Sequence, residues 1–66
     1  MNVYHNCYLF RSGDDILIQH NKNIDDVKRF NRNDLSYTHE GNGDLKNVIG
    51  PEGNYYYLAE DCKEIQ

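Results

Sequence analysis

Residues 47–58 constrain the fold more than any other stretch, because two β-prone runs there flank the only proline of the chain. A valine and an isoleucine precede the turn segment of residues 50–54, and Tyr55, Tyr56 and Tyr57 follow it. Glycine and proline favour tight turns, whereas β-branched and aromatic residues favour strands. We therefore predict a β-hairpin over this stretch.

The segment before this hairpin has the clearest alternation of the chain. Leu35, Tyr37 and His39 fall on one face of an extended segment, and polar residues fall on the other. Residues 41–44 then contain an Asn-Gly pair, which favours a tight type I′ turn. Together with the hairpin, this strand predicts a three-stranded meander. Its strands are expected at residues 35–40, 45–49 and 55–59.

Residues 3–11 place apolar side chains on both faces of an extended segment. Val3, Cys7 and Leu9 are expected on one face. The opposite face would carry Tyr4, Tyr8 and Phe10. This pattern indicates a central or strongly curved strand with both faces at least partly covered. The β-prone residues 16–20 follow a Ser-Gly-Asp-Asp turn and complete a predicted hairpin.

Between the hairpin and the meander lies a three-residue apolar repeat. Ile24, Val27 and Phe30 form one stripe over about two turns, and Asn23 precedes them at a position suited to cap a helix. Two aspartates in the first turn suit the positive end of the helix dipole. We predict a short helix docked on the sheet, with an irregular loop or a 3₁₀ turn as the alternative.

The segment Tyr56-Tyr57-Leu58-Ala59-Glu60-Asp61-Cys62-Lys63-Glu64-Ile65 resembles the closing segment of SH3-like barrels. In that family a strand runs into one 3₁₀ turn and then into a last short strand ending in an aliphatic residue. Ala59 stands where eukaryotic SH3 families usually have proline, and Cys62 replaces the aromatic residue of the peptide groove. The resemblance implies a small barrel without recognition of proline-rich peptides.

The predicted fold is one small, mainly β domain over residues 1–66. It is a small antiparallel sheet or SH3-like barrel in the order β-hairpin, short helix, three-stranded meander. The alternative is an α+β arrangement in the order ββαβββ. A chain of this size buries only about 60% of its unfolded surface. We therefore also consider a homodimer as a source of stability.

Charge limits the classes of partner. Seven Lys and Arg against eleven Asp and Glu give a net charge of -4, which disfavours a binder of phosphate backbones. The N-terminus lacks the features of a signal peptide, and no apolar run approaches the roughly 20 residues that span a bilayer. We expect a cytoplasmic protein without membrane association, in which Cys7 and Cys62 are free thiols. The alternative is a disulfide between them that would bridge the first and last strands.

The metal-capable side chains do not form a recognisable site. His5 and Cys7 would share one face of a strand, and His20, His39 and Cys62 would have to complete the set. Zinc sites of small domains usually show two tight ligand pairs, and this chain has one loose pair. Cys62 lies among acids, a setting that disfavours a reactive thiolate. We predict no metal, no cofactor and no enzymatic activity.

The tyrosine triplet is the best candidate contact surface. Side chains alternate along a strand, so at least one of Tyr55, Tyr56 and Tyr57 faces away from the core, and exposed tyrosines are favoured at interfaces. Packing of all three within a sheet covered on both faces is the alternative. We predict a non-enzymatic protein-binding domain to which Glu52 and Glu60 contribute acids. The Asn-rich composition is typical of low-GC bacteria and phages, which suggests a phage or mobile-element regulator or inhibitor of a host protein.

A second class of function is a small-barrel binder of single-stranded nucleic acid. Its groove would be lined by Lys22, Lys28, Arg29 and Arg32, with bases stacked on aromatic side chains. The net charge makes nucleic acid an unfavoured partner. In a further alternative, the protein is a weak nucleic-acid mimic, but the seven basic residues offset the acids that would imitate phosphates.

Overall fold

The computed structural model of the protein describes residues 2–62. Six strands form one sheet in the order β3-β2-β1-β6-β5-β4. The strands are β1 (Val3–Ser12), β2 (Asp15–His20), β3 (Val27–Asn31), β4 (Ser36–His39), β5 (Leu45–Ile49) and β6 (Tyr55–Leu58). The two helical segments, Arg32–Asp34 and Pro51–Gly53, are single 3₁₀ turns. The prediction of a mainly β fold is confirmed.

The strands β1, β2 and β3 form a first antiparallel meander. The predicted hairpin over residues 3–11 and 16–20 is confirmed by the pairing of β1 with β2. The third strand of this meander was not expected from the sequence. It adds an outer edge to the sheet at the position where the short helix was predicted.

The predicted helix is wrong, because its residues form the loop before β3 and β3 itself. Asn23 Oδ1 accepts a hydrogen bond from the backbone N–H of Asp25 at 2.9 Å, but this bond closes a turn and starts no helix. Phe30 lies opposite Ile16 and packs against the core, whereas Val27 lies on the other face. A two-turn helix leaves most of its backbone groups without intrahelical partners, and pairing with the edge of β2 satisfies them.

The strands β4, β5 and β6 form a second antiparallel meander, as predicted. The bounds of β5 agree with the prediction, and the other two strands are slightly shorter than expected. The predicted type I′ turn is wrong, because it requires a positive φ at two residues. Within residues 41–44 only Gly43 has one, at 92°.

A parallel pair between β1 and β6 joins the two meanders, so the sheet is mixed and not purely antiparallel. Tyr4 lies opposite Tyr56 and Cys7 lies opposite Leu58, which leaves two residues of β1 against one residue of β6 between these pairs. Asn6 lies in this bulge with a φ of 59°. Asparagine tolerates the left-handed region better than most residues, so it suits this position.

Because of the bulge, the side chains of β1 are divided between the two faces of the sheet differently from the prediction. Tyr4 shares the core face with Cys7 and Leu9, and it packs against the core. Val3, which was expected on that face, is 53% exposed. The strand is nevertheless central, as predicted, because it lies between β2 and β6.

The sheet must curl strongly, because its two edge strands are neighbours in the chain. Only residues 32–35 connect β3 to β4, and this connection spans at most about 18 Å. Five flat inter-strand spacings amount to about 24 Å. The described chain measures 31 × 26 × 24 Å, which excludes a flat layer. The sheet is not closed into a barrel.

The core lies on the concave face of the curled sheet and draws on both meanders. Its buried members are Cys7, Leu9, Ile16, Ile18, Leu35, Val48 and Tyr56. The last short strand expected from the SH3-like resemblance ends at Ile65 and lies outside the described residues, so the resemblance stays a prediction. In the part of the chain that the structure describes, no helix is long and apolar enough to cross a membrane.

The left-handed backbone conformation at Asn6 leads to a prediction about the stability of two variants. Asn6→Ala and Asn6→Gly both remove the hydrogen bond from Asn6 Nδ2 to Asn21 Oδ1, but only alanine carries a Cβ into this conformation. We expect Asn6→Ala to be less stable than Asn6→Gly by about 1 kcal/mol in urea denaturation. At the exposed strand residue Ser36, used as a control, alanine should be the more stable of the two. The same order at both sites would contradict the bulge.

A second stability prediction concerns the buried Gly50. A Cβ at this residue would lie 3.0 Å from Cε2 of Tyr56 and 3.6 Å from Cδ2 of Leu35. We expect Gly50→Ala to lower the free energy of unfolding by about 1–3 kcal/mol, because the packed ring must shift. Gly41 has no neighbouring atom within 4 Å of such a Cβ, so Gly41→Ala should change stability by less than about 0.5 kcal/mol. Equal losses in the two variants would show that the ring is free to move.

Candidate functional site

Strand β6 divides the tyrosine triplet between the two faces of the sheet. Tyr56 points into the core and is 2% exposed, whereas Tyr55 and Tyr57 lie half-buried on the outer, convex face. The predicted alternation is therefore confirmed. Tyr56 does not belong to the candidate surface, which is a correction to the set of contact residues expected from the sequence.

Tyr56 has a structural role at the junction of the two meanders. Its ring stacks on Tyr4 with the ring centroids 5.1 Å apart and the planes inclined by 8°. Phe30 of β3 contacts the same ring at a centroid distance of 5.8 Å. Burial raises the pKa of Tyr56, and this effect outweighs the opposing effects of Lys28 and Asn54. The ring therefore holds strands from both halves of the sheet together.

The outer face carries an aromatic row, which consists of His5, Tyr57 and Tyr55. The rings of His5 and Tyr57 stack with their centroids 5.2 Å apart and their planes inclined by 12°. Tyr57 and Tyr55 follow at 6.3 Å and 24°. Val3, which lies opposite Tyr55 in the sheet, extends this surface. The result is a row of stacked rings whose planes are nearly parallel, with a valine at its side.

His5 and Val3 belong to the site but were not expected there. A regular strand would place His5 and Cys7 on the same face, as the sequence analysis assumed. The bulge at Asn6 instead turns His5 outward while Cys7 is fully buried. The asparagine between His5 and Cys7 is the one signal that favours a bulge here, since asparagine tolerates a positive φ.

Glu52 and Glu60 are exposed, and they lie beyond the two opposite ends of β6. Glu52 has a left-handed backbone with a φ of 65° in the turn before Tyr55. Glu60 lines a cleft of about 530 Å³ together with Glu40 and Asp44. The two predicted acids therefore do not lie together, but one precedes and the other follows the strand that carries Tyr55 and Tyr57.

Charge is divided unevenly between the two meanders. Residues 1–34 contain five Lys and Arg and five Asp and Glu, whereas residues 35–66 contain two and six. The first meander is therefore neutral, and the second half of the chain carries the whole net charge of -4. The aromatic row lies mainly on this acidic half.

The four basic residues considered for nucleic acid do not form one groove. Lys28 and Arg29 are neighbours on β3, so their side chains leave opposite faces of the sheet. Arg29 Nη1 lies 3.0 Å from Asp15 Oδ2, and Lys22 Nζ lies 3.8 Å from Asp61 Oδ2. Two of the four are thus paired with acids.

Tyr8, Lys22 and Asp61 form an exposed cluster. The Tyr8 hydroxyl donates a hydrogen bond of 2.7 Å to Asp61 Oδ1, and Lys22 Nζ lies 5.4 Å from the centre of the Tyr8 ring. This hydrogen bond raises the pKa of Tyr8 and lowers the pKa of Asp61. The cluster ties the turn after β6 to the first meander.

Cys7, His20 and Asp26 are brought close together in an order that superficially fits a thiol nucleophile. Cys7 lies opposite His20, whose Nδ1 is 3.2 Å from Asp26 Oδ2. However, Cys7 is 0% exposed. Burial, followed by the negative charges of Asp26 and Cys62, raises its pKa to about 11. At neutral pH the residue is therefore a buried thiol, and the arrangement favours packing over catalysis.

Neither Cys7 nor Cys62 forms a disulfide in the part of the chain that the structure describes. Across residues 2–62, no group of three or more His, Cys, Asp or Glu side chains is placed to hold a metal ion. Comparison of the chain with protein-family models, curated proteins and solved structures finds no match. Any assignment of function therefore has to come from the surfaces themselves.

The burial and raised pKa of Cys7 lead to a prediction about the rate at which its thiol is labelled. With its pKa at about 11 instead of the ordinary 9.0, its thiolate fraction at pH 8 is about a hundredfold smaller. In the Cys62→Ala variant, we expect iodoacetamide to label native Cys7 at least about a hundredfold more slowly than the urea-unfolded chain. In the Cys7→Ala variant, the half-buried Cys62 should show a much smaller difference. Rapid labelling of native Cys7, followed by mass spectrometry, would contradict its burial.

Proposed function

We propose that the protein is a non-enzymatic protein-binding module that docks its aromatic row on a basic surface of a larger protein. The observation that carries this proposal is the stack of His5, Tyr57 and Tyr55 on the outer face. Tyrosine supplies a large contact area for the loss of few rotamers and is enriched among the residues that dominate binding energy.

The row is ordered before a partner arrives. Each ring packs against the next, and the tyrosines are half-buried by their neighbours in the sheet. Side chains that are already held in place lose little entropy on binding, which improves affinity. Val3 adds an exposed aliphatic contact beside Tyr55, so the centre of the proposed interface is apolar.

Charge indicates the chemistry of the partner. Glu52 and Glu60 lie beyond the two ends of β6, and Glu40 and Asp44 surround the cleft beside Glu60. An apolar centre with an acidic margin complements an apolar patch with a basic margin. The same acids disfavour pairing of this face with a second copy, since that would bring two acidic halves together.

The narrower prediction of a phage or mobile-element regulator or inhibitor stays a prediction, because it depends on composition alone. The absence of enzymatic activity also stays a prediction. Binding of single-stranded nucleic acid is the less favoured proposal, because the side chains of Lys28 and Arg29 point to opposite faces of the sheet. The protein-binding proposal uses features that the fold brings together on one face.

The test is a quantitative capture experiment with matched variants. Immobilised wild-type protein is expected to retain a specific basic protein from lysate of the source organism, and a Tyr55→Ser/Tyr57→Ser variant should lose it by at least about tenfold. A Glu52→Gln/Glu60→Gln variant should bind more weakly at low salt, with a smaller difference at high salt. Phe10→Ser, on the first meander, is the control and should bind as the wild type does. Circular dichroism verifies that each variant is folded.

Two outcomes would overturn the proposal. One is that no protein is retained specifically at moderate salt. The other is that the retained protein is bound equally by the wild type and the tyrosine variant, which would place the contact elsewhere on the molecule.

A further inference from the structure

The outer face of the first meander exposes a second apolar surface, here termed the neutral face. It consists of Tyr8, Phe10, Leu17 and Val27. Phe10 lies directly opposite Leu17, and Tyr8 and Val27 both lie opposite Gln19, so the four side chains share one face of three adjacent strands. Phe10 is 48% exposed and Val27 is 41% exposed. Arg29 lies opposite Leu17 on the same face, and Gln19 lies between Tyr8 and Val27. Exposed apolar side chains grouped on one face of a small chain are typical of an interaction site.

The sequence of β2 indicates that this face is normally covered. A sheet with one solvated face shows alternating apolar and polar residues, whereas the run Ile16-Leu17-Ile18 is apolar on both faces. Ile16 and Ile18 fill the core, but Leu17 is left on the outer face beside Phe10. Among the described residues the six strands form a single sheet, so no second sheet covers this face, and Lys22 and Asp61 contact Tyr8 at its border.

We propose that the neutral face packs against the same face of a second copy of this chain, forming a two-fold symmetric dimer. Two sheets pack face to face at about 10 Å with their inner side chains interdigitated. In an isologous contact each side chain meets the same surface on the partner, so an apolar patch is complementary to itself. The dimer would leave the aromatic row of each copy available.

Electrostatics favours a second copy over an unrelated charged partner. The first meander has no net charge. Arg29, which lies on the neutral face opposite Leu17, and Lys22, which lies over the Tyr8 ring, each have an acidic partner. Arg29 is paired with Asp15 and Lys22 with Asp61, so neither pair presents an uncompensated charge to a second copy. Pairing through the edge of β3 would instead bring the basic side chains of Lys28 and Arg29 from the two copies close together, which is unfavourable.

The test is analytical ultracentrifugation from about 10 µM to about 1 mM, the range of weak protein complexes. The wild type is expected to shift from monomer to dimer across this range. A Phe10→Thr/Val27→Thr variant should raise the dissociation constant at least about tenfold, because it removes apolar contacts while keeping residues that favour strands. Val3→Thr, the same type of change at an exposed valine beside the aromatic row, is the control and should leave the dimer unchanged.

Isotope-filtered NMR gives a second readout that a folding defect cannot imitate. Mixed labelled and unlabelled wild-type protein should show intermolecular contacts between the side chains of Phe10, Leu17 and Val27. A monomer throughout the concentration range, or intermolecular contacts at other residues, would overturn the proposal. A Tyr55→Ser/Tyr57→Ser variant should still dimerise, so failure of the dimer and failure of partner binding are distinguishable.

Discussion

The fold depends on the parallel pairing of β1 with β6, which joins the two three-stranded meanders of the described residues into one sheet. Each meander spans about 30 residues or fewer, and chains shorter than about 40 residues usually need further support to fold alone. The parallel pair places Tyr4 of the first meander against Tyr56 of the second and closes a core to which both contribute. Residues more than fifty positions apart in the chain must meet for this pair to form. The entropy that the chain loses in closing this long loop is offset only once the core packs.

The bulge at Asn6 then connects the core to the candidate surface. In a regular strand, Tyr4 and Cys7 would lie on opposite faces, and either the stacked tyrosines or the buried thiol would be lost from the core. One left-handed residue lets both face inward and simultaneously turns His5 outward onto Tyr57. The aromatic row is thus a consequence of the register that the core requires. A substitution at Asn6 would therefore alter both the core packing on one face of the sheet and the aromatic row on the other.

The local patterns of the sequence predicted local pairing well. Turn residues and β-branched runs were enough to identify the hairpin of β1 and β2 and the meander that ends at β6, together with Tyr55 and Tyr57 on its outer face. These patterns did not predict the structure correctly where pairing with a strand distant in the sequence determines the conformation. Val27 and Phe30 have helical spacing, yet the open edge of β2 makes them a strand. The bulge, the parallel pair and the inclusion of His5 depend on contacts between the chain's two ends, which no short pattern contains.

The division of charge explains how one small sheet can offer two different apolar surfaces. A chain with a net charge of -4 repels its own copies at long range. That repulsion is screened over about 8 Å at physiological ionic strength, and the excess acids belong to the half that contains β4, β5 and β6. Two neutral faces therefore approach with little penalty, whereas two aromatic rows would approach with their acids aligned. Because the neutral face lies on the first meander and the aromatic row is centred on β6 of the second, self-association and recognition of a basic partner are compatible in the same molecule.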